Sequence, residues 1–299
     1  MVSKYTSGWN KQASLALGLF VAAPLVLSVG VAPAKADGIH SDDTEIYVAL
    51  DRLQVLASGT YAGLNNPNYN RLTFLFAHRE ADPTRNHFHG IGTYSYLGNV
   101  DNTSINSTNN NNRIPETYTG ILPLQLLPGT GIYADRLIST DTHEEYSNLT
   151  IASVTSLAGA TDADDQYLFN SSGGRWRSPL TGATIGLQLV EISNGLNIAN
   201  ESGENILQSI GDIYTLGGGD DFVFTPTFWT QKTATPGKYS ATFKLVDLSS
   251  NHLESGTFSF DFRVEQVPEP STTIGLGLAA LLGLSLSHLK KRTCLQDDL

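Results

Sequence analysis

The sequence predicts an all-β body, either one irregular antiparallel β-sandwich or two small ones, between an N-terminal signal helix and a C-terminal transmembrane helix. Glycine is abundant, with 28 among 299 residues, and only 16% of the residues are charged. This balance is typical of short strands joined by turns. Apolar and polar residues alternate in several segments of the body, which is the period of a half-buried strand. The long apolar segments lie near the two ends of the chain.

Residues 1–36 have the features of a signal peptide. Lys4 and Lys11 precede an apolar stretch from Ala13 to Ala32, and Ala34-Lys35-Ala36 supplies a small-x-small site for signal peptidase. The apolar stretch is longer than a typical signal core, so an uncleaved N-terminal anchor is the alternative. We expect the body, residues 37–266, to be exported to the periplasm, the outer surface or the medium.

The first half of the body contains one clear hairpin pattern. Short strands are expected from Glu45 to Leu50 and from Leu53 to Ala57. Arg71 to His78 is a strongly apolar strand, and His89 to Leu97, which alternates glycine and aromatic residues, is its expected partner. Asn99 to Arg113 is rich in Asn, Ser and Thr, and we expect it to form a mobile loop.

The second half ends in the best-patterned unit. Lys238 to Leu248 and Gly256 to Val264 alternate apolar and polar residues on either side of a turn, which predicts a long antiparallel hairpin with one apolar face. Further strands are expected at 118–127, 146–157, 185–192 (or a short helix there) and 222–229, with turns over 161–179. A soft domain boundary near 158–165 would divide the body into two sandwiches.

Composition argues against several classes of function. The formal net charge is −11, and much of the basic charge lies in the two terminal segments, so we expect no binding of the body to nucleic acid. Cys294, in the C-terminal tail, is the only cysteine, which excludes a disulfide, a thiolate metal site and cysteine catalysis in the body. The body has no P-loop and no Gly-x-Ser-x-Gly motif. We therefore expect a protein that is not an enzyme.

Three histidines bracket the loop of the first predicted hairpin. His78 ends one strand, and His87 and His89 open the next. Residues two apart on a strand share one face, about 6.6 Å apart, and antiparallel pairing brings His78 towards them. Imidazole nitrogens are common zinc ligands, and a carboxylate or water completes four-coordination. Glu80 and Asp82 in the loop are candidate carboxylates.

The same histidines have an alternative role as solvent-exposed residues of a polar hairpin end. His40, just after the predicted cleavage site, is a further candidate metal ligand, and a frayed N-terminus is the alternative there. His143 and His252 are expected at the surface. The run Asp162-Ala163-Asp164-Asp165 lacks the Gly and Glu of an EF-hand loop, which argues against calcium.

The C-terminal segment has three parts. Pro268-Glu269-Pro270 is followed by an apolar run from Ser271 to Leu289 and by Lys290-Lys291-Arg292. The run has the length of a bilayer-spanning helix. The basic cluster, with residues 293–299, is expected to stay cytoplasmic, which places the body on the far side of the membrane. An ordinary single-span anchor is the alternative.

This order of parts resembles the PEP-CTERM sorting signal of Gram-negative bacteria over about residues 267–292. The resemblance implies that an exosortase recognises the tail and that the chain is cut near the Pro-Glu-Pro motif. The helix 271–289 is then a transient anchor in the inner membrane. Here the chain continues past the basic cluster with two acids, Asp297 and Asp298, where such tails usually stop.

Five runs in the body carry a second resemblance: Ser58 to Leu64, Asn66 to Thr73, His87 to Leu97, Asn111 to Glu116 and Gly174 to Trp176. Together they resemble a cyanobacterial PEP-CTERM family that is repressed by Zur, the zinc-uptake regulator. The resemblance implies a protein made when zinc is scarce, for zinc capture or for delivery to a zinc importer. A protein that only replaces a zinc-demanding surface component needs no zinc site.

The sequence thus leads to one hypothesis and one alternative. The hypothesis is an exported surface protein that binds zinc through His78, His87 and His89. The alternative is a structural or exopolysaccharide-associated surface protein with no metal site, since exosortase systems are linked to extracellular polysaccharide.

Overall fold

The structure, a computed structural model, describes residues 44–249 and 251–265. This part of the chain is mostly β, with a single short α-helix, so the predicted class is confirmed for the body. The predicted signal peptide, His40, the motif Pro268-Glu269-Pro270 and the predicted helix 271–289 lie outside the described residues. Among the residues described, no helix is both long and apolar enough to cross a bilayer.

The elements are numbered in chain order. They are β1 (Ile46–Leu50), β2 (Leu72–His78), β3 (His87–Ile91), β4 (Ser95–Asn99), β5 (Asn102–Asn106), β6 (Arg113–Ile114), β7 (Leu124–Gln125), β8 (Leu127–Pro128), β9 (Arg136–Ile138), β10 (Ile151–Ser153), α1 (Ala163–Asn170), β11 (Thr184–Ile192), β12 (Asn197–Ala199), β13 (Asn205–Ile206), β14 (Ile213–Gly218), β15 (Val223–Phe224), β16 (Thr227–Gln231), β17 (Gly237–Asp247) and β18 (Phe258–Val264).

The strands form three larger sheets and one small hairpin. The first sheet has the order β15-β10-β1-β2-β3 and the second β14-β11-β17-β18-β6, with β7 also paired to β18. The third has the order β13-β12-β16-β9-β8, and β4 and β5 form the hairpin. Most neighbours are antiparallel, but β1 pairs in parallel with β10, and β18 does so with β6 and β7. The paired strands are far apart in sequence, which leaves enough chain for the crossover that parallel pairing requires.

Aromatic side chains join the three sheets in one core. Phe74 of the first sheet stacks on Phe258 of the second, with ring centroids 3.8 Å apart. Phe228 of the third sheet lies 4.6 Å from Phe262 of the second. All four side chains are fully buried, and residues from both sides of segment 158–165 contribute to this core.

Two predicted hairpins are confirmed. In the first, β2 and β3 are antiparallel, with His78 opposite His87. The partner strand spans 87–91 rather than 89–97, and residues 95–97 belong to β4. In the second, β17 and β18 are antiparallel, with Phe243 opposite Phe258. Phe243, Phe258 and Ala241 are buried on one face, as the alternation predicts.

Segment 99–113, predicted as a mobile loop, instead contains β5 and the turn that joins it to β4. Asn99 pairs with Asn102 across a two-residue connection. The hydroxyl of Tyr61 donates to the carbonyl of Gly98 at 2.8 Å and holds the hairpin against a neighbouring loop. Composition did not predict these strands because backbone pairing, rather than a buried apolar face, defines them.

The stretch 161–179, predicted as turns, contains α1. Asp162 is its N-cap, and the carboxylate accepts from the backbone N–H groups of Asp164 and Asp165, a common way to begin a helix. Asp165 also pairs with Arg79 at 2.8 Å. The aspartate run therefore begins a helix of eight residues, which is too short for a clear apolar period in the sequence.

Several other predicted strands are shorter or split, whereas 185–192 forms the expected strand, β11. Segment 118–127 begins in the 3-10 turn Thr117–Thr119 and continues into β7 and β8, and 146–157 is reduced to β10. Segment 222–229 is divided between β15 and β16, and an isolated bridge from Val55 to Asn65 stands in place of a strand at 53–57. A period-two pattern does not resolve pieces of two or three residues.

Candidate metal centre

The hairpin β2–β3 brings the three predicted histidines together at its end. His78 lies opposite His87, and His89 lies two residues further along β3. All three side chains therefore share one face of the sheet. The ring centroids of His78 and His89 are 4.2 Å apart, and those of His87 and His89 are 4.9 Å apart.

The carboxylate beside the histidines comes from outside the hairpin loop. Within the loop, Asp82 caps the 3-10 turn Pro83–Arg85, and Glu80 faces the Arg85 guanidinium at 3.9 Å. Glu116, which follows β6 in the second sheet, supplies the carboxylate instead. The expectation that Glu80 or Asp82 accompanies the histidines is therefore wrong.

Glu116 is fully buried and accepts four hydrogen bonds. His78 Nε2 donates to its Oε2 at 2.6 Å, and His89 Nδ1 donates to its Oε1 at 2.8 Å. Asn111 Nδ2 also donates to Oε1, and the hydroxyl of Tyr146 donates to Oε2 at 3.0 Å. Two donors for each oxygen use the full capacity of a carboxylate and compensate its burial.

These hydrogen bonds determine the charge of Glu116. Burial alone raises the pKa of this carboxyl, but the hydrogen bonds from His78, His89 and Asn111 outweigh burial and hold the pKa well below its usual range. An ionised carboxylate only accepts. The proton of the neutral imidazole is therefore on Nε2 in His78 and on Nδ1 in His89.

His87 has its own fixed tautomer. Its Nδ1 lies 2.9 Å from the carbonyl oxygen of Arg85, which only accepts, so this nitrogen carries the proton. The Nε2 atoms of His87 and His89 then face each other at 3.1 Å. Two nitrogen lone pairs at this distance repel each other, so a proton or a cation is needed between them.

Distances distinguish two placements of a metal ion. One nitrogen of His78, one of His89 and one oxygen of Glu116 lie within 4.8 Å of one another. Zinc–nitrogen bonds of about 2.0–2.1 Å set neighbouring tetrahedral ligand atoms about 3.3 Å apart. The nitrogen–oxygen distances of 2.6 and 2.8 Å are too short for an ion in between. The 3.1 Å between Nε2 of His87 and Nε2 of His89 is close to the required separation.

The second placement gives Glu116 a different role. An ion between His87 and His89 leaves the Glu116–His89 hydrogen bond in place. Glu116 then acts as the outer carboxylate that orients a metal-bound imidazole, and the Arg85 carbonyl does the same for His87.

Tyr118 and a cleft border the histidine pair. The hydroxyl of Tyr118 lies 3.2 Å from His89 Nδ1. Burial, and then the charge of Glu116, raise the pKa of Tyr118 to about 12, so the side chain is a neutral hydroxyl. A cleft of about 410 Å³ is lined by His89, Tyr118, Asn111 and Trp176, among others. The cleft provides room for water or another ligand beside His89.

The other predicted histidines lie apart from this cluster. His143 is exposed, with Nδ1 3.9 Å from Asp141. His252, expected at the surface, is half-buried, and both of its ring nitrogens are shielded from solvent and have no hydrogen-bond partner among the described residues. His40 lies outside the described residues, and its role as a ligand stays a prediction.

Sequence reasoning missed Glu116, Asn111, Tyr118 and Tyr146. None of them is close to the histidines in sequence. The backbone N–H of Gly92 donates to the Asn111 carbonyl at 2.8 Å, which ties this distant segment to the end of β3. The run from Asn111 to Glu116 carries part of the family resemblance, but nothing in its pattern marks Glu116 as a partner of the histidines.

Comparison of the chain with protein-family models, with curated proteins and with solved structures gave no match. The chemistry of the site is therefore argued from its own residues.

Proposed function

We propose that this chain is an exported, non-enzymatic protein that binds zinc between Nε2 of His87 and Nε2 of His89. The observation that carries the proposal is the 3.1 Å separation of these atoms while acceptors hold both Nδ1 atoms. Preorganised imidazole nitrogens favour zinc and its first-row neighbours over calcium or magnesium, which prefer oxygen. Glu116 orients His89 and adds negative charge close to the ion.

The remaining ligands are available near the pair. Two imidazoles leave two positions of a tetrahedral zinc ion for other groups, and the cleft beside His89 admits water there. His40 remains a candidate for one of these positions. In this arrangement His78 supports the site through its hydrogen bond to Glu116.

The proposed setting is the surface of a zinc-starved cell. Residues 1–36 support export through signal peptidase, and residues 267–292 support sorting by an exosortase, with helix 271–289 as a transient membrane anchor. The resemblance to a Zur-repressed family supports zinc capture or delivery to an importer. The stacking of Phe74 on Phe258 between two sheets supports the description of the body as an irregular β-sandwich.

A structural or exopolysaccharide-associated surface protein without a metal is the competing function. One observation favours it: a single proton shared by His87 and His89 satisfies the same hydrogen-bond network without an ion. Zinc titration separates the two functions.

The test is calorimetric titration of the full-length chain in detergent with zinc. We expect a submicromolar binding event that the His87→Ala/His89→Ala variant loses. His143→Asn is the matched control, because His143 is exposed and has a backbone φ of 60°, which Asn tolerates well. Absence of binding, or a titration in which the double substitution removes no binding event, would overturn the proposal in favour of the structural alternative.

Sorting has its own test. Replacement of Pro268, Glu269 and Pro270 by alanine is expected to leave the chain membrane-bound at its unprocessed mass, whereas the unaltered chain is shortened near the motif. Mass spectrometry of both forms from a host that contains an exosortase distinguishes these outcomes. Equal processing of the two forms would argue for an ordinary anchor.

A further inference from the structure

One nitrogen of His78 takes no part in the hydrogen bond to Glu116. His78 donates through Nε2 to Glu116 at 2.6 Å, so its lone pair is on Nδ1. That nitrogen lies 3.8 Å from Oε1 of Glu145, which is too long for a hydrogen bond. When the carboxylate is ionised, neither atom has a proton to offer the other. The gap between them therefore lacks a positive group.

Glu45 is a second buried acidic side chain that interacts with Glu145. Glu45 is only 5% exposed, and its Oε2 has no hydrogen-bond partner among the described residues. Burial, followed by the charges of Glu145 and Asp141, raises the pKa of Glu45 to about 8. Buried acidic groups are normally paired with donors or cations. Glu45 thus feels the negative charges of two further acidic side chains, Glu145 and Asp141.

Solvent reaches this group through Glu145. The Glu145 side chain is 21% exposed and borders a cavity of about 310 Å³, which Glu144 and Thr142 also line. A hydrated ion can therefore reach Glu145 from a cavity whose lining includes neither His87 nor His89. The two sides of His78 are chemically different, because Glu116 occupies one side and the acidic group the other.

We infer that a second divalent cation binds between His78 Nδ1 and Glu145 Oε1. One imidazole nitrogen and one carboxylate, with water in the remaining positions, form a mixed donor set that suits zinc, manganese and similar first-row ions. A ligand angle somewhat wider than tetrahedral, with bonds of about 2.1 Å, accounts for the 3.8 Å separation. The site requires the His78 tautomer that Glu116 holds but no ligand from His87 or His89, so this inference and the proposed function fail separately.

The experiment counts bound zinc by equilibrium dialysis and elemental analysis of the full-length chain in detergent. Glu145→Gln removes the charge and one ligand atom. Glu144→Gln is the matched control, because Glu144 lines the same cavity and is exposed. We expect about two ions for the unaltered chain and for Glu144→Gln, and about one for Glu145→Gln. We expect about one ion for His87→Ala/His89→Ala as well.

Each other outcome has a definite meaning. Equal stoichiometry for Glu145→Gln and the unaltered chain overturns the second site, whether that number is one or two. One ion that is lost in Glu145→Gln and kept in His87→Ala/His89→Ala supports the second site and overturns the proposed function. Circular dichroism checks the fold of each variant. If Glu145→Gln does not fold, Glu145→Asp serves instead, and we expect its shortened side chain to weaken the second binding event about tenfold or more.

Discussion

The Nε2 atoms of His87 and His89 face each other at 3.1 Å, while the Arg85 carbonyl and Glu116 each hold an Nδ1 proton of the pair. Without a metal, one additional proton is needed between the two nitrogens. In the proposed zinc complex the ion would take the same place, so zinc and this proton would compete for the two nitrogens. Exchange of one for the other would then require little rearrangement of the hairpin.

The first prediction is that zinc binding releases about one proton from this pair. Calorimetric titrations at one pH, in two buffers with different ionisation enthalpies, give the number of protons from the difference in apparent binding enthalpy. The Glu145→Gln variant isolates the His87–His89 event from the second inferred ion. Enthalpies that do not depend on the buffer would contradict a shared proton in the metal-free state.

The second prediction concerns Glu116. In Glu116→Gln the amide presents N–H donors where His78 or His89 already donates, so one imidazole must change its tautomer. If His89 changes, its Nε2 acquires the proton and no longer binds an ion. We expect the zinc dissociation constant to rise about 10–100-fold, as for other outer carboxylates, with Glu144→Gln as the control.

If Glu116 only stabilised the fold, its replacement by Gln would leave the tautomers of His78 and His89 unchanged. Long-range ¹⁵N NMR spectra distinguish Nδ1-protonated from Nε2-protonated imidazoles, and we expect a change at His89 or His78 in Glu116→Gln. Unchanged tautomers together with unchanged zinc affinity would show that Glu116 does not position the pair.

The histidine cluster could be predicted because it depends on local rules. His87 and His89 are two apart on a strand, and the hairpin loop that joins them to His78 is short, so register alone brings the three together. Glu116 could not be predicted, because its position depends on β6 pairing with β18, far away in sequence. The orientation of each imidazole depends in turn on Glu116.

In the fold, too, some elements follow from local sequence patterns and others depend on contacts between distant segments. The β17–β18 hairpin is evident from alternation, since Phe258, Phe260 and Phe262 are all buried on one face. Helix α1 and the hairpin β4–β5 are not evident, because a cap at Asp162 and backbone pairing define them. Sheet order and the parallel pairs depend on contacts between distant segments, which no local pattern contains.

The third prediction follows from Glu45. Its pKa in the folded state is about 8, above the ordinary value of 4.5 that applies to the unfolded chain. The folded state therefore binds more protons between these two pH values, and stability falls as the pH rises from about 4.5 to 8. Glu45→Gln removes this loss, with an expected gain in the free energy of unfolding on the order of 2–4 kcal/mol at pH 9 and little at pH 4.

Urea unfolding in a chelating buffer at the two pH values measures this difference. Glu201→Gln is the control, because Glu201 is exposed and its substitution is expected to have little effect at either pH. A Glu45→Gln gain that is equal at both pH values would argue against ionisation of Glu45 as the cause.

The fourth prediction tests whether the sheets depend on one another. Phe74 and Phe258 are fully buried and stack at 3.8 Å between the first and second sheets. In Phe74→Ala both the buried apolar surface and the contact between the sheets are lost, and we expect a destabilisation of about 3–5 kcal/mol. Leu97→Ala is the control, because Leu97 is 51% exposed and its substitution is expected to change stability by less than about 0.5 kcal/mol.

Urea unfolding of Phe74→Ala, followed by far-UV circular dichroism and by tryptophan fluorescence, should give one coincident transition at lower urea, because the core is shared. Two separate transitions, with only one of them shifted, would mean that the sheets unfold independently and that the Phe74–Phe258 contact does not couple them.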